Sequence, residues 1–146
     1  MTFLHYGSAS RGTMRNKDLI ETFAALLADL DADDGAYSSL LEETAAWIKN
    51  DDALSSDLIS DLFDALDSFA PEYWYFGAHE GDGSDYGFWF CSEQFQGDIN
   101  DGNLASFGDL AAVPPGFPDQ FAIISDHGNA TLYAPTIAYE EVWSVV

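Results

Sequence analysis

Residues 71–90 read PEYWYFGAHEGDGSDYGFWF, and the periodicity of the chain changes within them. Before Pro71, apolar residues recur at helical spacing. After it they come as aromatic runs, YWYF and YGFWF, bounded by Gly and Asp. Proline cannot continue a helix, and aromatic residues suit the pleated, half-buried surface of a strand. The centre of the stretch, HEGDGSD, is made of residues that turns use. The stretch therefore predicts the close of a helical region, followed by a hairpin whose aromatic strands meet at an HEGDGSD tip.

Working back from Pro71, the segment 51–69, DDALSSDLISDLFDALDSF, is the most informative helix. At 100° per residue Leu54, Leu58, Ile59, Leu62, Phe63, Leu66 and Phe69 share one side, and Asp57, Asp61, Asp64 and Asp67 share the other. Steps of four, three and three residues put these carboxylates about 4.5 to 6 Å apart along the axis. Like charges at such spacings cost a few tenths of a kcal/mol per pair, so the apolar side must compensate. Asn50, Asp51 and Asp52 supply the capping boundary before it. Leu19, Ile20, Phe23, Leu26, Leu27 and Leu30 predict a first helix over 17–31, and Tyr37, Leu40, Leu41, Thr44, Trp47 and Ile48 a second, with DADDGAYSS between them.

Working forward, strands are predicted near 73–78, 86–91, 121–125, 130–134 and 138–145. The stretch 92–119, with GDINDG and VPPGFPD, reads as irregular with one short helix near 103–112. SDHGNA at 125–130 reads as a tight hairpin turn in which Gly128 or Asn129 takes positive φ. No repeat or linker divides the chain. The expected architecture is α+β in a single domain, 1–146: about three helices within 1–70, packed on a mostly antiparallel sheet of four to five strands within 71–146.

Charge sets the limits on function. The 146 residues carry 26 Asp plus Glu against four Lys plus Arg, a formal net charge of −22, yet 47% are hydrophobic and 15% aromatic. Disordered acidic chains are poor in aromatics, so this one folds. The bases are Arg11, Arg15, Lys17 and Lys49; none follows Lys49. Holding phosphate requires Lys and Arg that release counterions, so direct nucleic-acid binding is not expected, and the partner that fits is basic. One cysteine, Cys91, permits no internal disulfide, in keeping with a reducing cytoplasm. No apolar run is long enough to span a membrane, and the N-terminal MTFLHYGSASRGTMRNK lacks a signal peptide's apolar centre.

Catalytic patterns are weak. His79, Glu80, Asp82 and Asp85 lie within seven residues, and Asp126 with His127 marks a second turn. If the two tips met, His79, Asp82, Asp126 and His127 would make a His and carboxylate metal site able to activate water. The HExxH order and the ligand order of an EF-hand are both absent, and a turn with acidic, solvated flanks is the preferred reading. GxSxG, GxGxxG and the P-loop are absent too. No catalytic residue, metal or cofactor is assigned.

The segments YFGAHEGDGSDYGFWF (75–90) and AIISDHGNATLYAPTIAYEEVWSVV (122–146) resemble small acidic proteins encoded by bacteriophages and prophages, which often carry a DHGN-x-T-L-Y hairpin and end in an E-V-W-S-V-V-like strand. The likeness covers the C-terminal half and lies in turn and strand residues. It implies a phage origin and a bacterial host cytoplasm. With the charge, it makes the chain similar in kind to DNA-mimic anti-CRISPR and anti-restriction proteins.

The expected function is therefore a non-catalytic inhibitor that occupies the basic groove of a nucleic-acid-binding host protein, a CRISPR effector or a restriction enzyme. The partner-binding candidates are Asp51, Asp52, Asp57, Asp61, Asp64 and Asp67. The alternatives are a halophile-adapted binding or immunity protein, whose acidity maintains solubility, and the small metal-dependent enzyme described above.

Overall fold

The computed structural model describes residues 6–50, 56–134 and 140–145, and the fold is α+β. It comprises two compact units, one formed by Tyr6–Phe90 and the other by the chain from Cys91 onward.

In the first unit a short strand β1 (Gly7–Ser10) precedes three helices, α1 (Asn16–Leu30), α2 (Ser38–Asn50) and α3 (Ser56–Asp67), and the hairpin β2 (Trp74–His79) and β3 (Asp82–Phe90) closes it. The sheet order is β1-β3-β2, with both pairs antiparallel. The apolar stripes lie where the periodicity puts them. Leu19, Ile20, Phe23 and Leu27 of α1 and Leu58, Leu62, Ala65 and Leu66 of α3 are buried, with Phe76, Tyr86 and Phe88 of the sheet. Phe23, wholly buried, meets Phe63, Phe76 and Tyr86 edge-on, with ring centroids 5.1, 5.2 and 5.6 Å away. Such aromatic pairs contribute about 0.5–1.5 kcal/mol each beyond area burial, so Phe23 holds both helices to the sheet.

Local chemistry sets the element ends. At the start of α1, Thr13 Oγ1 accepts from Arg15 N–H and donates to Asp18 Oδ2 at 2.8 Å. Between α1 and α2 the chain turns around Asp31, only 3% exposed, whose carboxylate accepts the Ala36 and Tyr37 N–H groups at 2.9 and 2.8 Å. Gly35 takes φ +66° in that turn. The expected strand at 73–78 begins at Trp74 instead. Trp74 N–H bonds back to Pro71 O at 3.0 Å, and Tyr73, third in this turn, has φ +72°. This left-handed conformation costs a tyrosine about 1–2 kcal/mol; burial of its ring offsets the cost.

β1, where the sequence predicts no strand, is too short and too small in its side chains, GSAS, to show periodicity. Two features of β3 seat it. A Cβ at Gly87 would overlap the Gly7 carbonyl oxygen, so only glycine permits the approach. Asp85, 5% exposed, accepts from Ser8 Oγ–H and lies 3.5 Å from the Arg11 guanidinium.

The second unit contains α4 (Ser92–Asn100), β4 (Ala105–Phe107), a 3-10 turn (Leu110–Ala112), β5 (Phe121–Ile124), β6 (Ala130–Ala134) and β7 (Glu140–Val145), in sheet order β4-β5-β6-β7. The short helix expected near 103–112 lies earlier, at α4, where SEQFQGDIN buries only Phe95 and shows little apolar periodicity. Residues 105–107 are instead a strand, because they pair in parallel with Phe121–Ile123. The 125–130 turn forms as expected, with Gly128 at φ +82° and its N–H donated to Ser125 O at 2.9 Å. Phe121, Leu132 and Trp143 are fully buried; Phe95 meets Trp143 edge-on, and Phe121 stacks on Tyr133. The strands thus form two sheets, with β4 on β5 the parallel pair.

Replacing Asp31 by Ala would remove a buried carboxylate that accepts two backbone N–H groups and is expected to cost about 2 kcal/mol, read as a lower urea midpoint at unchanged m value. Gly87→Ala is expected to cost about 2 kcal/mol through overpacking and to speed hydrogen exchange of the β1 amides selectively.

Candidate interaction surface

The acidic side of α3 was the leading sequence candidate. Asp57, Asp61 and Asp64 are all exposed, opposite the buried Leu58, Leu62 and Leu66. Helical geometry puts the three carboxylates within an arc of about 60° and along about 10 Å of the axis. Asp67 sits about 80° round from Asp57, and its carboxylate is engaged: Oδ1 accepts Phe76 N–H at 2.9 Å. Asp67 therefore joins α3 to β2 while remaining exposed, and Asp57, Asp61 and Asp64 lie closest together on the exposed side. Asp51 and Asp52 lie outside the described residues.

Elsewhere in this unit Glu21, Asp29, Asp33, Asp34, Glu42 and Glu43 are exposed on the helices and their connection. Among the described carboxylates Asp31 and Asp85 are buried, and both are supplied with donors. The second unit, from Cys91, holds no Lys or Arg at all; Glu93, Asp101, Asp109, Asp119 and Asp126 are exposed there.

The HEGDGSD tip is a hairpin turn. His79 pairs with Asp82, leaving Glu80 and Gly81 as the loop. Its flanks differ from the expectation in one respect: Glu80 and Asp82 are exposed, whereas Asp85 is buried in the sheet. Trp89 Nε1–H donates to Gly77 O at 3.0 Å, and the Trp89 ring lies 4.6 Å from that of His79. His79 Nδ1 accepts Gly81 N–H at 3.0 Å. Asp82 Oδ1 accepts Ser84 N–H and Oγ–H at 3.0 and 2.9 Å. These two Ser84 bonds are the main reason the Asp82 carboxyl is held below its ordinary 3.8; the charges of Arg11 and His79 add to them, and slight desolvation opposes. A carboxyl lowered in this way contributes stability above its ordinary pKa and loses it as pH falls through the lowered value.

His79 and Asp82 belong to the first unit, Asp126 and His127 to the second. Among the described residues no group of three or more His, Cys, Asp or Glu side chains is arranged to hold a metal ion, and no helix is long and apolar enough to cross a membrane. In the aromatic hairpin Trp74, Tyr75, Trp89 and Phe90 are each half-buried. Comparison of the chain with protein-family models, curated proteins and solved structures finds no match.

The separate roles of the α3 carboxylates are testable by stability alone. Asp67→Ala is expected to cost about 1 kcal/mol, the worth of its bond to Phe76 N–H. Replacing Asp57, Asp61 and Asp64 together by Asn is expected to stabilise the chain by a few tenths of a kcal/mol at low salt, with the gain fading as salt screens the charges. Thermal melts at two ionic strengths measure both effects.

Proposed function

We propose that this chain is a non-catalytic acidic inhibitor that occupies the basic nucleic-acid groove of a bacterial host defence protein, a CRISPR effector or a restriction enzyme. The observation that carries the reading is the exposed row Asp57, Asp61 and Asp64 on a helix whose opposite side is buried, in a chain with no Lys or Arg after Lys49. A row of this kind holds its charges in place without a compensating base. Its mean axial step, about 5 Å, is somewhat wider than the 3.4 Å or so of axis per phosphate on one DNA strand. A nuclease must keep a basic groove open for phosphates, and an acidic helix presented to it gains steered association and complementary potential. The phage resemblance of the C-terminal half supports the same setting. In this reading the inhibitor binds no nucleic acid itself, uses no cofactor and acts in the host cytoplasm.

Charge reversal tests it. In bacteria carrying an active CRISPR or restriction system, the wild-type chain is expected to raise the plating efficiency of a targeted phage. The triple variant Asp57→Lys, Asp61→Lys and Asp64→Lys is expected to lose that protection while its circular dichroism and melting stay those of a folded protein. Protection at the wild-type level by the folded triple variant would remove α3 as the contact surface.

A further inference from the structure

The hairpin tip holds a hydrogen bond that only one protonation state of a side chain can make. His79 Nδ1 accepts the Gly81 N–H at 3.0 Å, so the neutral imidazole must carry its proton on Nε2. The ring lies over the turn: a Cβ at Gly81 would sit 3.4 Å from both His79 Cε1 and Nδ1. Its other neighbour is Trp89, edge-on at 4.6 Å, whose own Nε1–H is fixed on Gly77 O. Ring, turn amide and indole form one contiguous set.

We propose that this set is a proton-operated latch, in which the neutral His79 imidazole fastens the β2–β3 turn and protonation releases it. An imidazolium carries a proton on each nitrogen and accepts no hydrogen bond. At His79 the added proton would face the Gly81 N–H, donor against donor, and the ring must leave that amide. The charged groups around it provide a new partner. Glu80 lies in the turn itself, Asp82 opens β3 as the cross-strand partner of His79, and Arg11 from the chain before α1 adds positive charge beside Asp82 and Asp85. Asp82 accepts both Ser84 bonds on Oδ1 and Asp85 is held by Ser8 and Arg11, so the Glu80 carboxylate or the other oxygen of Asp82 is the acceptor in reach of the imidazolium. The ring thereby exchanges a backbone amide for a carboxylate, departs from Trp89, and frees the Gly81 N–H to water.

Nuclear magnetic resonance on the full ¹⁵N-labelled chain tests this, in a pH series from about 8 to about 5. At the upper end a scalar coupling across the hydrogen bond is expected between the Gly81 amide nitrogen and His79 Nδ1. It should vanish as the imidazole protonates, and the Gly81 amide and Trp89 Nε1–H resonances should move with the same midpoint as the ring. In His79→Phe, which keeps an aromatic ring against Trp89 but has no acceptor, the Gly81 resonance should no longer titrate. A Gly81 amide that stays unchanged through complete protonation of His79 in the wild-type chain would overturn the proposal. So would an identical Gly81 titration in His79→Phe, which would trace the change to the neighbouring carboxylates.

Discussion

Repulsion among 26 carboxylates, which four basic side chains cannot offset, is the constraint that this structure has to meet. Ion pairing is not available as the general solution, and the chain uses backbone amides in its place. Asp31 takes the N–H groups of Ala36 and Tyr37, Asp67 that of Phe76, Asp82 that of Ser84 and Asp109 that of Ala112. Each of these bonds places a carboxylate at a turn or an element end, where unpaired amides need acceptors. Asp85, beside Arg11, shows how a buried carboxylate on a strand is held when a base is within reach. Many of the described acids, Asp33, Asp34, Asp57, Asp61 and Asp64 among them, are exposed, and the aromatic core around Phe23 supplies the stability that their mutual repulsion removes.

This division of labour explains what the sequence disclosed. The stripes of α1 and α3 were legible because burial imposes a period on many residues at once, and the aromatic strands of the β2–β3 hairpin because their composition changes abruptly at Pro71. The glycine turn at Gly128 was legible for a local reason, the demand for positive φ. β1 was not, since GSAS has no apolar residue larger than alanine, and its place depends on an absent side chain at Gly87 eighty residues away. β4 was not, since three residues show no period and their extended form comes from pairing with β5. α4 was hidden by Gly97 and by a single buried anchor, Phe95.

The candidate surface was legible to the same degree. That Asp57, Asp61 and Asp64 face outward follows from their phase against Leu58 and Leu62. Asp67 has a similar phase and a different task, because its carboxylate reaches Phe76 N–H in a strand that the sequence places beyond Pro71. Nothing in the order of residues shows that an exposed carboxylate also caps a distant amide. The same holds for Asp31, one of three acids in DADDG and the one that is buried. Only the structure shows which acids also serve a backbone amide: in the described part of the α3 row that is Asp67, which is exposed like Asp57, Asp61 and Asp64.

The central claim is that the exposed acid is a surface for a basic nucleic-acid groove. Affinity capture of the tagged chain from a bacterial lysate, at about 0.15 M salt and with a rising concentration of competing duplex DNA, puts it to the test most directly. The account predicts stoichiometric recovery of one nuclease or CRISPR complex, released in proportion to the competitor. Recovery of only a mixture of basic proteins, or of one partner that nucleic acid does not displace, would contradict it.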